Sequence, residues 1–135
     1  MLAFHACGIR YAVGLCGTAL TEEHIRAIRR LAGQVTLSLD PDPAGRQNTV
    51  RCAHILLSVG CAVSLLPLPD GMDPDEVYRR KGSDELARLA REGTLDYLSY
   101  RIRQAASRPH TDTAAINGAL GEIGLLSSPL AVYRR

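Results

Sequence analysis

Three short apolar runs mark the first half of the chain, and polar or amphipathic stretches separate them. Met1 to Cys7 reads as a helix that Gly8 stops, since glycine accepts the left-handed backbone on which helices commonly end. Tyr11 to Cys16 is the first apolar run and predicts a strand, broken at Gly17. Thr21, followed by Glu22, Glu23 and His24, opens a helix whose face carries Ile25, Ile28 and Leu31. The second run, Val35 to Leu39, ends abruptly at Asp40. From Pro43 an amphipathic stretch with Val50, Ala53, Ile55, Leu56 and Leu57 continues to Gly60, and Ala62 to Leu66 is the third strand candidate.

Continuous apolar strands alternating with helices predict an α/β fold with a parallel sheet covered on both faces. Ligands of such sheets gather at the carboxyl ends of the strands. Asp40 and Asp42 follow the second run there, and Asp70 to Asp75 follow the third. Beyond Glu76 the pattern turns wholly helical: Leu86, Leu89 and Ala90 form one face, and Leu95, Leu98 and Ile102 form another. Ser107 to Thr113, with Pro109, reads as a linker. A helical stretch to about Leu126 and a new start near Pro129 follow it.

Composition narrows the reading without directing it. The chain has 135 residues, 46% of them apolar, which suffices for one compact core. A net charge of +2 is too small to announce a nucleic-acid binder, whose signature is a strong, clustered basic excess. A single Lys beside fifteen Arg reads as codon usage in a GC-rich genome. Cys7, Cys16, Cys52 and Cys61 lack Cys-x-x-Cys spacing, and no apolar run of about 18 residues is present, so a reduced, cytoplasmic setting and no membrane are expected. Cysteines so placed are read as small buried hydrophobes.

The chemistry concentrates in two acidic segments. In Ser38-Leu39-Asp40-Pro41-Asp42-Pro43-Ala44-Gly45, two carboxylates two residues apart leave an apolar strand. Their repulsion is relieved by a hard divalent cation such as Mg²⁺, which takes oxygen ligands and needs only one or two protein carboxylates. The competing reading makes Asp42 a helix N-cap ahead of Pro43 and Asp40 a turn residue. The second segment, Leu68-Pro69-Asp70-Gly71-Met72-Asp73-Pro74-Asp75-Glu76, repeats the theme. Taken alone, it is better explained by capping, with Asp73 before Pro74 and Asp75 and Glu76 beside the positive end of a helix dipole. Together the two segments favour a site, because both follow strands expected in one parallel sheet.

These residues carry a family resemblance. Gly17-Thr18-Ala19-Leu20-Thr21, the apolar run into Asp40-Pro41-Asp42-Pro43-Ala44-Gly45, and the segment from Leu68 to Glu76 resemble the Toprim domain of bacterial, DnaG-type DNA primases. Order and spacing match through about Arg103, and Thr111 to Arg135 is similar to the start of the helical portion that follows in that family. The resemblance implies a Rossmann-like parallel sheet with flanking helices, followed by a small helical segment. It implies that Asp40, Asp42, Asp73 and Asp75 hold Mg²⁺ or Mn²⁺, with Asp40 and Asp42 as the catalytic pair. The implied partners are a single-stranded DNA template and nucleoside triphosphates, and the implied activity is that of a DNA-directed RNA polymerase making primers in DNA replication. Gly17 and Thr18 correspond to a family turn near the acidic cluster, and Arg46 and Arg51 stand where they could face phosphates.

The sequence departs from the family in two respects. Family members carry a Glu-Gly-x-x-Asp motif on the strand before the first helix, and Met1 aligns with the residue just after it. Pro41 stands where the family usually has Gly, which stiffens the turn between the carboxylates. The expected division is an N-terminally truncated Toprim domain at 1–82, helices on or following its core at 83–106, and a linker with the beginning of a helical subdomain at 107–135. The expectation is therefore a primase fragment without primer synthesis of its own, its open sheet edge filled by the remaining primase portions or a second copy. The alternative is a stand-alone module that binds metal, nucleotide or nucleic acid without turnover. A phosphatase of the haloacid dehalogenase type also begins with a strand into Asp-x-Asp, but it wants Thr or Val where Ala44 stands.

Overall fold

The computed structural model describes residues 1–15, 20–38 and 42–107, together with 117, 118 and 121. Its contacts divide the chain into a unit Met1–Leu95 and a unit Asp96–Arg135.

The first unit opens with helix α1, Leu2–Ala6, which ends through Cys7 into Gly8 at φ 82°. Gly8 occupies the left-handed stop that its sequence position predicts. Residues 11–15 then run without entering a ladder. An apolar run supplies strand propensity, but a strand forms only where its amides and carbonyls find a partner. Here Tyr11 and Val13 are 87% and 78% exposed, and His5 Nε2–H donates to the Ala12 carbonyl at 2.6 Å, tying the segment to α1 instead.

Helix α2, Glu22–Leu31, starts on the predicted Thr21: its hydroxyl accepts from the His24 amide, and its own amide donates to His24 Nδ1, both at 3.3 Å. This reciprocal pair satisfies two donors that a bare helix start leaves open. None of the α2 residues is fully buried, and Leu31 is exposed.

Strand β1, Gln34–Leu37, pairs in parallel with β2, Ala62–Leu65, in the register Gln34 to Ala62 through Leu37 to Leu65. The connection between them is α3, Pro43–Ser58. Burial alternates in both strands, with Val63 and Leu65 buried and Gln34, Thr36 and Ala62 exposed. The two strands are therefore not sealed on both sides as their apolar character predicts. Cys52, Ala53 and Leu56 of α3 are buried, and α3 packs on β2.

After β2 the chain passes a short 3₁₀ turn, Pro69–Gly71, into α4, Pro74–Lys81, and α5, Ser83–Glu92. One core cluster joins Ala3 and Phe4 of α1, Leu66, Val77 of α4 and Leu86 of α5. Leu89 and Ala90 pack against it, so the face read from Leu86, Leu89 and Ala90 is the one that turns inward. Cys52 and Cys61 are buried free thiols and Cys7 is half-buried, in line with their reading as small hydrophobes; Cys16 lies outside the described residues.

The sheet order is β1-β2-β3, where β3 is the two-residue Leu95–Asp96 at which the first unit ends. This strand interrupts a stretch that periodicity reads as wholly helical. In the second unit, Asp96 caps α6, Tyr97–Ala106, and Tyr97 is buried while Leu98 and Ile102 are exposed. Spacing correctly places Leu98 and Ile102 one turn apart, but a spacing cannot say which face is covered. Of the predicted 107–135 segment, Asn117, Gly118 and Gly121 are helical and exposed; the remaining positions beyond 107, Pro129 included, lie outside the described residues. Among the described residues no helix is long and apolar enough to cross a membrane.

Candidate metal centre

The parallel pairing settles the direction in which both acidic segments leave the sheet. Leu37 and Leu65 are partners at the carboxyl ends of β1 and β2, and the Leu66 amide extends the ladder by donating to the Leu37 carbonyl at 2.9 Å. The chain therefore departs toward Asp42 and toward Asp73 from the same edge, the one where ligands of parallel sheets collect. Ser38 Oγ, just past β1, is buried and has no hydrogen-bond partner among the described residues.

Asp42 is the N-cap of α3, in the extended backbone that caps require. Its Oδ1 accepts from the Gly45 amide at 2.5 Å, and Pro43 fills the first helical position, where a missing N–H costs nothing. One turn on, the buried Thr49 donates its hydroxyl to the Gly45 carbonyl at 2.7 Å, fastening the first turn behind the cap. Sequence reading missed Thr49; its only signal was a threonine four residues after a glycine, a common place for hydroxyl back-bonding in helices. Arg46 and Arg51 are exposed on α3.

Asp73 repeats this arrangement. It caps α4 through Oδ1, which accepts from the Glu76 amide at 2.7 Å, and Pro74 follows at the first helical position. Asp75 and Glu76 occupy the first turn and pair along the helix with Arg79 at 2.9 Å and Arg80 at 3.1 Å. Ahead of the cap, Asp70 has φ 56° and Lys81 Nζ donates to its Oδ2 at 3.0 Å. This contact across eleven residues was also missed, because no local pattern links a turn to the far end of the helix after it.

Both capping readings therefore hold, and neither excludes a ligand role. In each cap one carboxylate oxygen is committed, while Oδ2 of Asp42 and of Asp73 takes no hydrogen bond from a described residue. Asp75 is engaged by Arg79, but its side chain is 61% exposed, and exposed pairs of this kind are worth little. The donor type suits a hard divalent cation that binds through oxygen. Asp40 and Pro41, like Gly17 and Thr18, lie outside the described residues. Among the described residues no three His, Cys, Asp or Glu side chains are grouped closely enough to hold a metal ion.

Comparison with known proteins places this arrangement in a family. A family model described as Toprim-like matches residues 1–78. The DNA primase of Clostridium acetobutylicum is 36% identical over 104 residues, covering 77% of this chain and 17% of that primase. The RNA polymerase domain of Mycobacterium tuberculosis primase DnaG superposes with a TM-score of 0.76 at 27% identity, over 96% of this chain and 43% of that one. A DnaG primase catalytic domain bound to single-stranded DNA gives a TM-score of 0.70 at 25% identity, over 98% and 44% of the two chains. The chain belongs to the Toprim-like family, as a Toprim domain of the DnaG primase type. It spans about a sixth of the length of the first curated relatives it matches.

Proposed function

We propose that this chain contributes the divalent-metal carboxylates of a primase-type nucleotidyl-transfer site, with Asp40, Asp42, Asp73 and Asp75 as ligands and Asp40 and Asp42 nearest the reacting atoms. The observation that carries this reading is the parallel pairing of β1 and β2, which sends two capped acidic segments out of one sheet edge. When bound, Mg²⁺ or Mn²⁺ supplies Lewis-acid contacts to triphosphate oxygens and neutralises charge during phosphodiester formation.

The chain's own residues provide orientation. Asp42 and Asp73 each spend one oxygen on a helix amide, which fixes the carboxylate plane before any ion arrives. Arg46 and Arg51, exposed on α3, are proposed to meet phosphate oxygens. The proposed partners are nucleoside triphosphates and a single-stranded DNA template; the likeness to a DnaG catalytic domain bound to single-stranded DNA supports the template. Within this reading 1–82 is the Toprim domain, 83–106 the helices that accompany it, and 107–135 the linker and beginning of a helical subdomain. Primer synthesis is assigned to these residues in the context of a longer primase, in a cytoplasmic setting.

The test is Mg²⁺-dependent binding of a fluorescent nucleoside triphosphate to the chain, followed by anisotropy. Binding that disappears with chelator and in Asp42→Asn supports the reading, and binding indifferent to both contradicts it.

A further inference from the structure

We infer that Lys81 and Asp70 form a latch that positions Asp73, so that a residue at the far end of α4 governs the second acidic segment. The inference rests on the metal reading above and adds a positioning residue to it.

Among the described residues Asp70 is the only non-glycine residue in the left-handed region, at φ 56° and ψ 24°, and Gly71 follows at φ 67°. Aspartate tolerates this region better than most side chains, but such a conformation persists only where surrounding contacts over-determine it. Two contacts hold it here: the Met72 amide donates to the Pro69 carbonyl at 3.0 Å, and the Lys81 ammonium lies 3.0 Å from Asp70 Oδ2. Asp70 stands three residues before the α4 cap and Lys81 is the last α4 residue, so the pair closes a loop over the whole helix. Lys81 is only 34% exposed in its side chain, against 67% for Asp70, so the lysine stem lies along the protein and delivers its charge to the turn. The other two cations in the last turn, Arg79 and Arg80, are held by Asp75 and Glu76 of the same helix. Lys81 alone among these three reaches the turn.

The consequence for Asp73 is geometric. Two successive left-handed residues, Asp70 and Gly71, aim the chain into the extended Met72 and Asp73, and that extended backbone is what lets Asp73 cap α4. Releasing Asp70 leaves the Met72–Pro69 backbone bond to hold the turn alone, and the Asp73 carboxylate is less firmly directed.

Electrostatics alone predicts the opposite effect of losing Lys81. Removing a cation near a metal site strengthens cation binding through reduced repulsion. Loss of a positioning latch weakens it. Lys81→Met keeps the stem and removes the charge, while Lys81→Arg keeps a charge within reach. Mn²⁺ titration of the full chain is expected to show binding weakened about threefold in Lys81→Met, on the scale of an exposed ion pair, and restored in Lys81→Arg. Hydrogen exchange at the Glu76 amide, bonded to Asp73, is expected to quicken in Lys81→Met only. Mn²⁺ binding that is equal or tighter in Lys81→Met overturns the latch while leaving the metal reading intact. A parent chain that binds no Mn²⁺ overturns the metal reading, and the latch as a metal-positioning device falls with it. Unchanged Glu76 exchange in Lys81→Met shows that the pair never held the cap.

Discussion

The Asp73 carboxylate accepts the Glu76 amide at 2.7 Å with one oxygen and takes no hydrogen bond from a described residue with the other. A single side chain thereby carries a structural duty with one oxygen and, under the proposed function, a ligand position with the other. The two duties separate by substitution. Asparagine caps helices about as well as aspartate, whereas alanine loses about 1 kcal/mol. Asp73→Asn is expected to keep the thermal midpoint of the parent and to lose Mn²⁺ affinity, and Asp73→Ala to lose both. Calorimetry on the two variants checks this; full Mn²⁺ affinity in Asp73→Asn would show that Asp73 is a cap only.

The core includes Val77 of the helix that Asp73 caps. Leu86 is fully buried among Phe4, Leu66 and Val77, while Ile102 on α6 is 52% exposed. Leu86→Ala is expected to destabilise the chain by about 2–5 kcal/mol, through lost burial and the cavity left behind. Ile102→Ala is expected to change stability by less than about 0.5 kcal/mol, as is usual for exposed sites. Urea unfolding of both variants measures the contrast, and equal losses would contradict the core drawn around α1, α4 and α5.

The places where the sequence announced this structure are those where the signal is local. The Thr21 cap, the Asp42-Pro43 and Asp73-Pro74 helix starts and the Gly8 stop each follow from one or two residues and the backbone chemistry they favour. The parallel pairing of β1 and β2 followed from two apolar runs with a helix between them. What was not legible depends on distant parts of the chain. The run at Tyr11 has strand propensity, but propensity cannot supply a neighbour, and residues 11–15 join no ladder. The short β3 at Leu95 and the exposure of Leu98 and Ile102 depend on packing that periodicity does not encode. In the site, the two carboxylate caps were legible, while Thr49 behind the first and Lys81 across the second were not.

Asp96 gives α6 a pH dependence of known sign. The Ser99 hydroxyl at 2.6 Å, and then the Ser99 amide at 2.9 Å, hold its carboxyl below the ordinary value of 3.8. A depressed folded pKa means that the stabilising contribution is complete above the unfolded value and is lost as pH falls through the lower folded one. Helicity followed by circular dichroism is expected to fall with this component below about pH 3.9, the unperturbed aspartate range. Asp96→Asn keeps the cap and removes the transition, so an acid transition of undiminished size in that variant would assign it elsewhere.

In the proposed function Asp40, Asp42, Asp73 and Asp75 hold divalent metal. Isothermal titration of Mn²⁺ into the full chain, its Asp40→Asn variant and its Asp73→Asn variant tests it most directly. The account predicts saturable binding in the parent, at least about tenfold weaker in each variant, as expected when a hard cation loses a charged oxygen ligand. Saturable binding that survives unchanged in both variants would contradict it.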